Sequence, residues 1–211
     1  MTRSEGCRST GLVLAGGQSS RLGVPDKALA ELNGRPMLQH VLDRLRGQAS
    51  PILLSVHRSN PDLAAFGLEQ VVDVVERRRG PLTGLVSGLL RLECRGGEPW
   101  LLLVPCDAPL LPADLSSRLM RAALDEQKSV AVARYEGVVQ PVFSLWHLDA
   151  LPRVKPAVLD ADGAGLMRVL DQMECAIVDW PASRVSPFVN VNTPQDLAEA
   201  AGLVDLVGED G

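Results

Sequence analysis

Short, continuous apolar runs alternate along this chain with segments of helical period, and that alternation restricts the fold more than any other feature. Gly11 to Ala15 (GLVLA), Ile52 to Val56 (ILLSV), Val71 to Val75 and Trp100 to Val104 (WLLLV) each read as a strand. Between the first two, Met37, Val41, Leu42 and Leu45 recur at helical spacing behind Pro36, a residue suited to a first helical position, after a turn at Asn33-Gly34. A second helix is expected from about Leu82 to Leu92, following the Gly80-Pro81 turn. Strands that are apolar on both faces need cover on both faces, which predicts an α/β fold with a mostly parallel central sheet.

The second half continues the pattern less cleanly. Helices are expected near Leu115 to Asp125, Gly165 to Met173 and Pro194 to Ala201, with strands at Ser129 to Arg134, Val138 to Phe143 and Ala176 to Asp179. Leu151 to Ala164, with Pro152, Pro156 and scattered charges, reads as a loop or mobile lobe near a site. No proline- or serine-rich linker separates the halves, so one domain over 11–211 behind a flexible tail at 1–10 is the economical reading.

Composition excludes several classes. Twenty-six acidic residues against 21 Lys and Arg, with 3% aromatics, leave no basic, ring-studded surface for nucleic acid. The four cysteines fall in no CxxC arrangement, and His40, His57 and His147 lack ligand spacing and read as surface residues, so a zinc set is not expected. With no signal-peptide core and no apolar run approaching ~20 residues, a cytoplasmic protein that does not contact a membrane is expected.

The densest chemistry lies directly after the first strand, in Leu14-Ala15-Gly16-Gly17-Gln18-Ser19-Ser20-Arg21-Leu22-Gly23, continuing to Asp26-Lys27. Adjacent glycines let backbone N–H groups approach anionic oxygens, serines add donors, and Arg21 with Lys27 adds positive charge. A tight turn with polar surface residues is the bland alternative. The loop is neither a Walker A motif, since Ala28 follows Lys27, nor a GxGxxG fingerprint. Further along, Asp107 follows an apolar strand, where one fixed carboxylate suffices for magnesium once phosphates are present, or where it could cap the next helix. Thr193 reads as the cap of a helix starting at Pro194, with Asp196 favourable in its first turn.

The stretch LAGGQSSRLGVPDKALAELNGRPMLQHVLDRL closely resembles the opening of the molybdenum cofactor guanylyltransferases. The resemblance continues through GPLTG at Gly80 to Gly84, PCDAPLL at Pro105 to Leu111 and FVNVNTPQDL at Phe188 to Leu197, in family order. It implies a Rossmann-like three-layer nucleotidyltransferase fold, with nucleotide bound by the N-terminal half and molybdopterin by the C-terminal half. The implied reaction transfers GMP from GTP to the terminal phosphate of molybdenum-molybdopterin, with magnesium as cofactor and pyrophosphate released.

Carried onto this chain, the resemblance implies GTP contacts from Leu14, Ala15, Gly16, Gly17, Arg21, Gly23, Lys27, Ser55, Asp73 and Asp107. Arg21, Lys27 and Asp107 would be catalytic, Asp107 would hold the metal, and Asn190 and Asn192 would bind molybdopterin. Where a familiar member has asparagines in the second strand region, this chain has Ser55 and His57, which leaves base choice less secured than reaction type. Cys106 reads as packing. Alternatives are a molybdopterin cytidylyltransferase, another small-acceptor nucleotidyltransferase or a non-catalytic nucleotide-binding protein; transient contact with molybdopterin-delivering proteins or recipient oxidoreductases is compatible with any of the molybdopterin readings.

Overall fold

The computed structural model describes residues 9–16, 22–75, 80–159 and 165–208. Residues 1–8 of the expected tail, Gly17 to Arg21, the basic run Arg77 to Arg79 and the end of the expected loop at 160–164 lie outside the described residues, whereas Ser9 and Thr10, expected in the flexible tail, are described and buried.

Among the described residues seven strands form one sheet: β1 (Thr10–Leu14), β4 (Ile52–Val56), β5 (Glu69–Val72), β6 (Trp100–Pro105), β7 (Val130–Tyr135), β8 (Val138–His147) and β9 (Ala176–Trp180). Their spatial order is β5-β4-β1-β6-β8-β7-β9. Every neighbouring pair is parallel except β6·β8 and β7·β8, so the sheet is mostly parallel with one reversed strand. A two-stranded hairpin, β2 (Glu31–Leu32) and β3 (Arg35–Pro36), stands apart. Asn33 and Gly34 turn it with φ of 50° and 72°, the left-handed pair that a tight two-residue hairpin turn needs.

Alternate side chains of the central strands enter opposite clusters, as strands buried on both faces require. Val13, Leu102 and Val104 join one cluster with α1 (Met37–Leu45) and α3 (Leu115–Asp125). Leu12, Leu101 and Leu103 join the other with α2 (Pro81–Arg95), α4 (Leu151–Leu159) and α5 (Leu166–Asp171). This is a three-layer α/β/α arrangement. A third, small cluster holds Leu22, Ala30, Leu32, Met37, Val191 and Ala200, and joins the hairpin region to α6 (Pro194–Gly208).

Three expectations are corrected here. Leu151–Leu159 is a helix, not a loop: Val154 and Val158 are buried against the α2 side of the sheet, and that apolar burial prevails over the breaker signal of Pro156. His40 is not a surface residue; it is buried on α1, with Nε2 2.8 Å from the Leu32 carbonyl oxygen. The third strand runs from Glu69 and ends at Val72, so Asp73 lies just past it.

Candidate active site

In an open parallel sheet, ligands bind beyond the carboxyl ends of the strands, at the point where strand order reverses. Here the chain moves from β1 outward to β4 and β5, then returns to add β6 on the other side of β1. The crevice therefore opens where β1 and β6 end, between Gly16 and Asp107.

A cavity of about 480 Å³ lies there, lined by Leu14, Gly16, Lys27, Ser55, His57, Asp73, Asp107, Asn190 and Asn192 among others. Each parallel strand delivers its group at the same edge. Asp73 follows β5, His57 follows β4, Gly16 follows β1, and Asp107 follows β6. The backbone stitches these ends together: Ala15 N–H donates to the Ser55 carbonyl, Asp73 N–H to that of Val56, and Cys106 N–H to that of Leu14.

Two glycines permit this approach. A Cβ on Gly16 would stand 3.0 Å from the His57 backbone nitrogen. One on Gly84, in the first turns of α2, would stand 2.5 Å from Ser55 Oγ and 2.6 Å from Leu14 Cδ2. The helix lies so close over β1 and β4 that Ser55 is almost wholly buried.

Lys27 is the centre of the polar network. It sits in a short 3-10 turn, Lys27–Leu29, capped by Asp26, whose Oδ1 accepts from Ala28 N–H and whose Oδ2 accepts from Asn60 Nδ2. Burial raises the Asp26 carboxyl above its ordinary value, against the pull of those donors. The Lys27 ammonium pairs with Asp107 Oδ2 and donates to Asn192 Oδ1 at 2.7 Å. Asp107 Oδ1 is buried and has no hydrogen-bond partner among the described residues, and the same holds for Asn190 Oδ1. At the far end of the cavity, His57 Nδ1 is 3.5 Å from Asp73 Oδ2, a polar contact too long for a well-formed hydrogen bond. Burial pushes the Asp73 carboxyl up, opposed by the neighbouring imidazole.

Of the residues singled out in the sequence, Leu14, Gly16, Lys27, Ser55, Asp73, Asp107, Asn190 and Asn192 line this one cavity. Ala15 is buried behind its wall, and Gly23 occupies a turn at φ +71° outside the lining. Gly17 and Arg21 lie outside the described residues. Cys106 is buried, and burial drives its thiol far up, which leaves no thiolate for nucleophilic work. His57, read from sequence as a surface residue, lines the cavity; its position one residue past a strand was the signal, shared with Asp73. Among the described residues no group of three or more His, Cys, Asp or Glu could hold a metal on its own.

The MobA-like NTP transferase domain family matches residues 11–176. The chain belongs to that family. Among its relatives, the molybdenum cofactor guanylyltransferase of Rhodopseudomonas palustris (strain HaA2) is 39% identical over 193 residues, covering 91% of this chain and 90% of the relative. That of Bradyrhizobium sp. (strain ORS 278) is 35% identical over the whole of both chains. Among solved structures, molybdopterin-guanine dinucleotide biosynthesis protein A from Archaeoglobus fulgidus superposes with a TM-score of 0.73 at 17% identity, covering 93% of this chain and 98% of that one. It shares the fold. In this MobA-like transferase the matched region carries Lys27 and Asp107, whereas Asn190, Asn192 and α6 come after it.

Proposed function

We propose that this chain transfers GMP from GTP to the terminal phosphate of molybdenum-molybdopterin, giving the guanine dinucleotide form of the cofactor and pyrophosphate. The observation that carries this reading is the convergence of Lys27, Asp107 and Asn192 in one cavity at the strand-order reversal, in a chain 35–39% identical to molybdenum cofactor guanylyltransferases over nearly its full length. The N-terminal half would hold nucleotide and the C-terminal half the acceptor.

An oxygen of the acceptor phosphate attacks the α-phosphorus of GTP. The new P–O bond forms as the bond from the α-phosphorus to the bridging oxygen breaks, and that electron pair leaves with pyrophosphate. A phosphate monoester is largely ionised near neutral pH, so the nucleophile needs positioning and charge shielding more than a base. An ammonium has three donors; two of Lys27's are engaged by Asp107 and Asn192, which leaves one for a phosphate oxygen without breaking the ion pair. Arg21, by resemblance, would add charge beside it. Asp73 offers acceptor oxygens suited to the N1–H and N2–H₂ donors of guanine, with Ser55 nearby.

A magnesium ion fits the residues present. Among the described residues Asp107 keeps one buried carboxylate oxygen without a partner, and magnesium takes one or two carboxylates alongside substrate phosphates and water. Bound there, it would shield charge on the phosphates. Among the described residues no helix is long and apolar enough to cross a membrane. Transient contact with proteins that deliver molybdopterin or receive the product accords with this chemistry.

The test is to incubate the protein with magnesium, molybdenum-molybdopterin and each of the four nucleoside triphosphates, then identify the product by mass. A guanine dinucleotide from GTP is expected; product from CTP alone would move the chain to the cytidylyl reaction.

A further inference from the structure

The division into a nucleotide half and an acceptor half breaks down at Lys27. Its ammonium is held from two sides, by Asp107 just past the end of β6 and by Asn192, 165 positions later in the chain. Asn192 is an exposed residue in the irregular segment before α6, and among the described residues its side chain makes one other hydrogen bond, a long 3.3 Å one from Nδ2 to the Asn190 carbonyl. What fixes it is its backbone. Asp196 Oδ2, in the first turn of α6, accepts from Asn192 N–H at 2.8 Å and from Thr193 N–H at 2.9 Å. In return, Thr193 Oγ1 accepts from Asp196 N–H at 3.1 Å, closing a reciprocal helix cap.

The neighbouring residue ties the same segment to the metal-side carboxylate. Val191, fully buried in the third cluster, donates its N–H to the Asp107 backbone carbonyl at 2.9 Å. That cluster also holds Leu22, Ala30 and Leu32, which flank the Lys27 turn, and Ala200 on α6. Both ends of the Lys27–Asn192 contact are thus carried by one small core, to which α6 contributes from beyond the matched family region.

We propose that Asp196 is a positioning residue for phosphate binding: it fixes Asn192, and Asn192 fixes the Lys27 ammonium against the triphosphate. The proposal rests on the reading of Lys27 as a phosphate ligand, but not on which base the nucleotide carries. It makes the C-terminal helix part of the nucleotide site. Asp196 touches no substrate and acts only through Asn192.

The experiment uses the full chain and titrates inorganic tripolyphosphate calorimetrically without metal, then GTP, with a thermal melt on each preparation. Asp196→Ala removes the acceptor for both N–H groups and is expected to weaken tripolyphosphate about five- to tenfold, the equivalent of one ordinary hydrogen bond. Asp196→Asn keeps an acceptor oxygen, folds with the smaller perturbation, and is expected to recover most of that loss. Thr193→Ala removes the hydroxyl side of the cap but leaves the Asp196–Asn192 bond, so it is expected to lower the melting temperature while binding tripolyphosphate like the parent.

Parent-like binding by Asp196→Ala overturns the proposal, as does equal weakening in Thr193→Ala that follows the loss of melting temperature. A parent that does not bind tripolyphosphate overturns it as well. Failure of the guanylyl reading is separately visible: GTP would then bind no better than the bare tripolyphosphate, while the order of the variants toward tripolyphosphate stood unchanged.

Discussion

Removing the Lys27 charge should destabilise the empty protein by an amount set by what it leaves behind. In Lys27→Met the aliphatic stem is largely retained, but the Asp107 carboxylate loses its ion pair, and Oδ1 already lacks a partner. Breaking a buried pair by deleting one member costs about 3–5 kcal/mol. Here the two side chains keep 11% and 15% of their exposure at the cavity wall, so water offsets part of the loss and the lower end, about 3 kcal/mol, applies. For a chain of this length that corresponds to a fall in melting temperature of roughly 6–12 °C. Urea denaturation at neutral pH measures it directly. Two further measurements isolate the cause. The double variant Lys27→Met/Asp107→Asn, which removes both charges, should regain about 2 kcal/mol over the single variant. Magnesium should raise the urea midpoint of Lys27→Met more than that of the parent, because both carboxylate oxygens are then available. A single variant within about 0.5 kcal/mol of the parent, or a double variant no more stable than the single, would refute the account of the pair.

Asp107→Asn should keep the fold but lower turnover by about two orders of magnitude or more, checked by steady-state rates; parent-like turnover would remove Asp107 from the metal-binding role. Gly84→Ala forces a Cβ onto Ser55 Oγ and Leu14 Cδ2, so a packing cost of about 1–3 kcal/mol is partly offset by about 1 kcal/mol of helix propensity, and GTP affinity should fall more clearly than stability. Unchanged affinity in a calorimetric titration would mean that α2 can retreat freely. The Asp73 carboxyl is raised by burial from an ordinary 3.8, so the folded state keeps a proton that the unfolded state has lost, and stability should fall as pH rises through the window just above that value. Asp73→Asn should flatten this fall, and equal slopes in the two proteins would contradict the assignment. Iodoacetamide should label exposed Cys94 in the native protein and buried Cys106 only on unfolding; rapid native labelling of Cys106 is the contrary result.

The strands and helices were legible in the sequence because each is a local pattern. The WLLLV run became β6, buried along its whole length, and Met37–Leu45 became α1 with its apolar stripe inward. The errors arose where local and tertiary signals disagree. Pro156 carries a breaker signal, but Val154 and Val158 find a core to enter, so the segment is helical. Val138 opens a strand that continues to His147, well past Phe143, because pairing with β6 extends it. His40 carried no clue, since a helix face buries it, and the clue for His57 was only its place one residue past a strand.

The lining of the candidate cavity was legible as a set of residues but not as an arrangement, and the reason lies in topology. Strand alternation implies that Gly16, His57, Asp73 and Asp107 all emerge at the carboxyl edge, but it says nothing about lateral order, which decides which of them meet. The order β5-β4-β1-β6 puts the His57–Asp73 pair on one side of Gly16 and the Lys27–Asp107 pair on the other. Lys27 belongs to no strand of the sheet. It reaches Asp107 from a separate turn that Asp26 ties to Asn60, and it meets Asn192 only because the third cluster brings α6 back to the hairpin. A lysine held by a carboxylate 80 positions away and an amide 165 positions away has no sequence period to betray it. Its geometry depends on that closure, so substitutions on α6 that loosen it should disturb the Lys27–Asp107 pair without touching it.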